Sequence, residues 1–230
     1  MSEVLLERVN GVAEIILNRP ARRNAITREM LIAMLNTFEL LKADDSISVV
    51  ILRGAEGFFC SGLDLKEIDP INPPTADAIA AHSALAAMPV PIVAAVEGAA
   101  INAGAALALA CDLLVCGRNS YLQIKEAEMG ITPPINAAWL ALRYPLSIGL
   151  QLALSCRRFG GEELYRLGMA LDVVEDADVL NHARDLAGRM SAFPQHGAAR
   201  TKMTILRARL ETGSPFESAV AAALSARSAK

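Results

Sequence analysis

Residues 92–116 read IVAAVEGAAINAGAALALACDLLVC, and the order of side chains along them sets the class of the fold. Ile92 to Val96 is a short apolar run without polar alternation, the pattern of a strand buried on both faces. Gly98 interrupts it, the alanine-rich stretch Ala103 to Ala110 predicts a helix, and Leu113 to Cys116 predicts a second buried strand. Strand, helix and strand in this order form the unit of an α/β fold. Working outward toward the N-terminus, Ile47 to Leu52 is another β-branched buried strand. Thr27 caps a helix whose apolar face is Leu31, Met34, Leu35, Phe38 and Leu41. The opening runs VLLERV and VAEIIL are joined by Asn10-Gly11, a dipeptide suited to the positive φ angles of a type I′ turn, and predict a hairpin. Toward the C-terminus, a helix is expected near Asp77 to Ala87. From about Ala137 strand signals almost vanish, and periods such as Val179, His182, Ala183, Leu186 and Met190 predict a mainly helical end. The chain thus divides into an α/β core over 1–165 and a helical region over 166–230.

Composition removes several classes of function. The 230 residues are 53% hydrophobic, and 22 basic against 25 acidic side chains leave a net charge of −3. That balance, with 4% aromatic residues, lacks the basic stripe and stacking side chains of a nucleic-acid binder. A chain of this length forms one to two domains and buries about 70–75% of its extended surface without staples. Cys60, Cys111, Cys116 and Cys156 show no CxxC spacing and read as small buried hydrophobes, which implies a reducing compartment and no metal cluster. The start MSEVLLERVNG has glutamates where a leader needs a basic and then apolar stretch. Pro89, Pro91, Glu97 and Asp112 interrupt the most apolar region, Ala84 to Cys116, so no membrane span is expected. A soluble, cytoplasmic protein is the expectation.

Motifs for nucleotide, metal and Ser–His chemistry are missing: there is no GxSxG, no GxxxxGK[ST] and no HExxH. His182 and His196 read as surface residues of the helical end. His82 stands out slightly, because it follows a polar, proline-rich loop around Asp69 to Pro74. Two glycine turns carry more information. Phe59-Cys60-Ser61-Gly62-Leu63-Asp64-Leu65 and Gly98 to Ala106 each follow a buried strand, and each is expected to open a helix, where free backbone N–H groups favour an anion. Either alone reads more readily as a tight turn of small, closely packed residues.

Taken with NRPARRNAIT at 18–27, VEGAAINAGAALALACDLLVC at 96–116 and KEAEMGITPP at 125–134, FCSGLDL at 59–65 completes a series of motifs whose order resembles the crotonase family, the enoyl-CoA hydratases and isomerases. The resemblance runs from near residue 4 to about residue 205. It implies a ββα spiral core with a helical C-terminal trimerisation region, and a coenzyme A thioester as substrate. No separate cofactor is implied, since coenzyme A enters as part of the substrate, and no metal, nucleic acid or membrane is expected.

The roles implied follow the motifs. The N–H groups of Leu63 and Ala103 correspond to the family's two oxyanion donors, which stabilise the enolate formed from a thioester. Hydratases of the family carry two glutamates; the first falls here on Ala106, whose methyl group transfers no proton, and the second on Glu126. The isomerases that move a 3,4 double bond to the 2,3 position keep only the second, so Glu126 is expected to be the proton shuttle. A solvated acid at a helix start is the bland alternative. Ser61, Gly62, Leu65, Gly104 and Pro133 are expected at the acyl-CoA site, and Ala25 and Ile26 along the adenine and pantetheine arm. Arg22, Arg23 and Lys66 would meet phosphates of coenzyme A or simply be solvated. Trp139 would wall the acyl pocket or sit in the core. Asp64 and Asp112 are assigned structural roles, holding local N–H groups.

Three functions are compatible with these residues: an enoyl-CoA isomerase using Glu126; a hydratase or decarboxylase of the same family; and an acyl-CoA-binding protein without turnover, given the lost first glutamate. The ending SAVAAALSARSAK is shorter than the family pattern, so cover for the site is expected from a neighbouring subunit, with room for a bulkier substrate. Helices over Val179 to Met190 and Ala198 to Leu210 offer apolar faces for a homotrimer or a dimer of trimers, or for packing on the core.

Overall fold

In the computed structural model, which describes residues 2–67, 69, 71–209 and 215–225, Asn10 and Gly11 both adopt positive φ (49° and 78°) and close β1 (Val4–Val9) onto β2 (Val12–Leu17). The pairing Val9↔Val12 leaves a two-residue loop, as the dipeptide predicts. Helix α1 (Arg28–Lys42) starts where Thr27 Oγ1 accepts the Met30 N–H at 3.0 Å. Its buried residues are Met30, Leu31, Met34, Phe38 and Leu41; Leu35 lies at the edge of that face.

The rest of the sheet is parallel. Strand β3 (Val49–Gly54) pairs with β2 and with β4 (Ile92–Val96), and β4 pairs with β6 (Leu113–Gly117). The helix-rich end adds one strand, β9 (Asp172–Val174), parallel to β6, so the sheet runs β1-β2-β3-β4-β6-β9. Three residues pairing on one edge are too few for a periodic signal, which is why the sequence pattern passes over them.

The central strands send alternate residues to two cores. Val50, Leu52, Ala94 and Val96 face the larger one, under α1, α2 (Thr75–Ala86) and α3 (Ala103–Ala110). Val49, Ile51, Val93 and Ala95 face a smaller one, closed by Val179, Ala183, Leu186 and Ala187 of α7 (Val179–Ser191). The apolar face of α7, one of the two candidates for subunit contact, is therefore spent on the sheet. In α8 (Gly197–Arg209), Ile205 is exposed; Leu210 lies outside the described residues.

A second ladder runs alongside. Cys60 bridges Ala100 of β5 (Ala99–Ile101), Ala100 pairs with Leu122 of β7 (Tyr121–Gln123), and Leu122 with Phe159 of β8 (Phe159–Gly160). All four residues are buried. Each turn of chain thus lays one rung on each ladder before a helix returns, which is the expected ββα spiral. Helices α4 (Pro134–Arg143), α5 (Leu146–Ser155) and α6 (Gly161–Arg166) follow, and α9 (Pro215–Ser225) lies against α4 and α2. Within the stretch SAVAAALSARSAK, Val220 is buried in the core; the last five residues, 226–230, lie outside the described residues.

Candidate active site

The two glycine turns meet because their backbones have no side chains between them. A Cβ on Gly104 would stand 2.4 Å from the Cys60 carbonyl oxygen, and one on Gly62, where φ is +98°, 3.0 Å from the Ile101 carbonyl oxygen. Only glycine tolerates both positions, and the contact brings the Leu63 and Ala103 N–H groups to the wall of one cavity. Neither N–H has an acceptor among the described residues. That of Ala103 is an orphan donor at the start of α3. Leu63 departs from expectation: no helix follows it directly among the described residues. It bridges Ile26, with Ile26 N donating to Gly62 O and Asp64 N to Ile26 O, and the next helix begins only at Thr75. This strand-like pairing turns the Leu63 N–H away from Ile26, so one donor is aimed by a ladder and the other by a helix.

Asn102 aims the second donor. Its φ and ψ of 50° and −111° are unfavourable for any residue but glycine, and strain of this kind costs about 1–3 kcal/mol unless the surroundings hold it. Four hydrogen bonds do so. Asn102 N donates to Gln123 O, Asn102 Oδ1 accepts Lys125 N, and Asn102 O accepts Ala106 N and Asn136 Nδ2.

Asn136, on α4, reaches Glu126 as well: the same Nδ2 donates to Glu126 Oε1 at 3.0 Å. Glu126 begins a short 3-10 turn (Glu126–Met129), and its Oε2 is buried without a partner among the described residues. Burial raises its pKa above the usual 4.5, and the hydrogen bonds from Asn136 and the backbone offset only part of that. Among the described residues, Glu126 is the one carboxylate lining a cavity of about 300 Å³, and no Lys or Arg lines it. Glu128, its exposed neighbour, pairs with Lys125. Ala106, Ser61, Leu63, Leu65, Ile26, Pro133 and Ala103 share the lining, with His82 and Ala78 of α2.

The remaining expected residues stand behind or beside this wall. Gly62 and Gly104 set the backbone approach without lining the cavity. Trp139 is in the core, 4.5 Å from the Phe216 ring, and donates its indole N–H to His82 Nδ1 at 3.0 Å, so it backs the wall through His82. Ala25 O accepts Arg19 Nη1, which engages that carbonyl within the protein. Arg22 pairs with Asp64 at 3.0 Å, and Arg23 lies 5.7 Å over the Phe58 ring; Lys66 is exposed. Asp64 is buried, and hydrogen bonds from Arg22 hold its pKa below the carboxylate range against burial, with Lys66 N and Arg19 adding to the effect. Asp112 accepts Ile92 N and pairs with Arg143 and Lys202. Asp64 holds the local Lys66 N–H as expected, whereas Asp112 holds an N–H from a strand 20 positions away in sequence. Asn136 escaped the sequence reading; a lone amide on an otherwise apolar helix face was the only signal.

The family model described as Enoyl-CoA hydratase/isomerase matches residues 7–225. The chain is 30% identical over 223 residues to 1,2-epoxyphenylacetyl-CoA isomerase of Escherichia coli (strain K12), covering 92% of this chain and 85% of that protein. It is 33% identical over 198 residues to 2,3-dehydroadipyl-CoA hydratase of the same organism, covering 83% and 76%. The crystal structure of an enoyl-CoA hydratase from Mycobacterium avium subsp. paratuberculosis K-10 superposes with a TM-score of 0.86 at 25% identity, covering 98% of this chain and 89% of that one.

Proposed function

The chain belongs to the enoyl-CoA hydratase/isomerase family, and from that premise we propose that it moves the double bond of a 3-enoyl-CoA to the 2,3 position, with Glu126 carrying the proton. The observation that carries this reading is the single carboxylate: Glu126 lines the cavity, and Ala106 stands where a second would be needed. The thioester oxygen would accept the Leu63 and Ala103 N–H groups. Glu126 Oε2 removes a proton from C2, the electron pair enters the carbonyl as an enolate, and the same carboxylic acid returns the proton to C4 as the double bond forms between C2 and C3. Two fixed donors lower the enolate barrier, each by about 3–4 kcal/mol. Hydration would ask for a second group to activate water, and the methyl of Ala106 offers none. The reaction needs no bound cofactor.

A ladder of exposed leucines on α5, Leu146, Leu150 and Leu154, supports assembly of copies of this chain, with a trimer as the expected unit. The four free, buried cysteines fit a reducing, cytoplasmic setting; burial pushes the Cys60, Cys111 and Cys116 thiols up to about 12, so they stay unreactive. No helix among the described residues is long and apolar enough to cross a membrane.

The test is a spectrophotometric assay with a 3-enoyl-CoA, following the absorbance of the conjugated product, beside Glu126→Gln. The expected result is turnover that falls about 10²–10⁴-fold in the variant while its melting temperature holds. Full activity in Glu126→Gln sinks the reading. A flat trace with the native chain, accompanied by hydration of 2-enoyl-CoA or decarboxylation of a malonyl-type thioester, assigns the site to those reactions instead.

A further inference from the structure

His82 is nearly fully buried, yet it lines the cavity from α2, one turn after Ala78. Its Nδ1 lies 3.0 Å from the indole Nε1 of Trp139. An indole N–H only donates, so Nδ1 accepts and the ring proton sits on Nε2. Phe216 of α9 stacks on the imidazole at 6.0 Å with 24° between planes, and packs on Trp139, so the ring is held from two sides. Nε2–H finds no acceptor among the described residues, and it is not one of the side-chain atoms sealed off without a partner, which are Glu126 Oε2 and Asn136 Oδ1; with Trp139 on Nδ1 and Phe216 on the ring face, the open space left to it is the cavity. An acyl group bound there would strip solvent from this donor, and a dry donor without an acceptor is costly, so the geometry asks for an acceptor from the ligand.

Resting on the reading of this cavity as an acyl-CoA site, we propose that the acyl group it selects bears a neutral oxygen, a hydroxyl or a carbonyl, which accepts the His82 Nε2–H. Charge argues for a neutral group. Among the described residues no Lys or Arg lines the cavity, and Glu126 already brings a carboxylate, so a second anion would be buried without compensation. A cationic or purely donating group is refused by the fixed tautomer, which offers only a donor. The thioester oxygen is not the partner, because the Leu63 and Ala103 N–H groups serve it.

The test uses saturated thioesters, which bind without reacting: hexanoyl-CoA and a set of hydroxyhexanoyl-CoAs with the hydroxyl moved along the chain, measured by titration calorimetry. At least one hydroxy isomer is expected to bind about five- to tenfold tighter than hexanoyl-CoA, the gain of a typical hydrogen bond. His82→Phe, which preserves ring packing on Trp139 and Phe216, is expected to erase that preference. Trp139→Phe, which keeps the imidazole but frees its tautomer, is expected to reduce it. In the unaltered protein, the ¹⁵N-detected Nε2–H resonance of His82 is expected to shift with the preferred isomer and not with hexanoyl-CoA, a readout that needs no variant to fold. Equal binding of all the thioesters, or a preference that survives His82→Phe, overturns the proposal while leaving the acyl-CoA site standing. Failure of every thioester to bind overturns both.

Discussion

Asn136 joins the two halves of the candidate site, since one amide nitrogen serves both the Asn102 carbonyl, which shapes the turn before Ala103, and Glu126 Oε1. Its hydrogen bond favours the charged carboxylate, so removing it leaves burial less opposed and raises the Glu126 pKa further. A base acts when unprotonated. The acid limb of the kcat profile is therefore expected above the ordinary carboxylate range in the native chain, and at still higher pH in Asn136→Ala. A pH series on both proteins checks this; an unmoved or lowered limb removes Asn136 from the machinery. Glu126 was legible as a residue because its motif places it. Its partnership with Asn136 was not, because ten residues and a change from 3-10 turn to α-helix separate them, and only packing brings them within 3.0 Å.

At the scale of elements, the donors depend on how closely α3 approaches the strand segment at Cys60. Gly104→Ala puts a methyl into that contact, where the Cys60 carbonyl oxygen cannot yield without moving its ladder rung to Ala100. The expected cost is about 1–3 kcal/mol, read as a lowered melting temperature. Turnover is expected to fall more than the loss of folded protein explains, because the Ala103 N–H moves with the helix; the check is kcat per folded molecule below the melting range. The hairpin, α1, β3, β4, α3 and β6 were all legible, since their periods and caps are local. Strand β9 and the ladder pairing of Leu63 were not: the first is three residues long, and the second is an isolated bridge to Ile26, decided by a contact 37 positions away in sequence.

For the whole molecule, two further outcomes follow. Burial pushes the His82 pKa from 6.5 down to about 3. The unfolded chain therefore takes up a proton that the folded chain refuses, so this residue's contribution to stability falls as the pH drops below about 6.5 toward 3. The native protein should lose up to about 1.4 kcal/mol per pH unit over that window relative to His82→Phe. Denaturant titrations of both proteins at several pH values read the difference, and parallel curves would contradict the buried neutral ring. Assembly supplies the second. The exposed stripe on α5, proposed above as a contact between copies, predicts that Leu150→Glu shifts sedimentation toward the monomer.

The amino-acid sequence alone determined the α/β alternation, which rests on local periodicity and turn chemistry, while the order of its motifs carried the family resemblance and, with it, the expectation of a spiral and of Glu126 as the carboxylate of the site. Only the tertiary structure decided which neutral groups surround that carboxylate. The tautomer of His82 follows from Trp139, 57 positions later, and its packing from Phe216 on a returning helix. Hydrogen-bond direction is set by the partner across the fold, and no spacing along the chain encodes it.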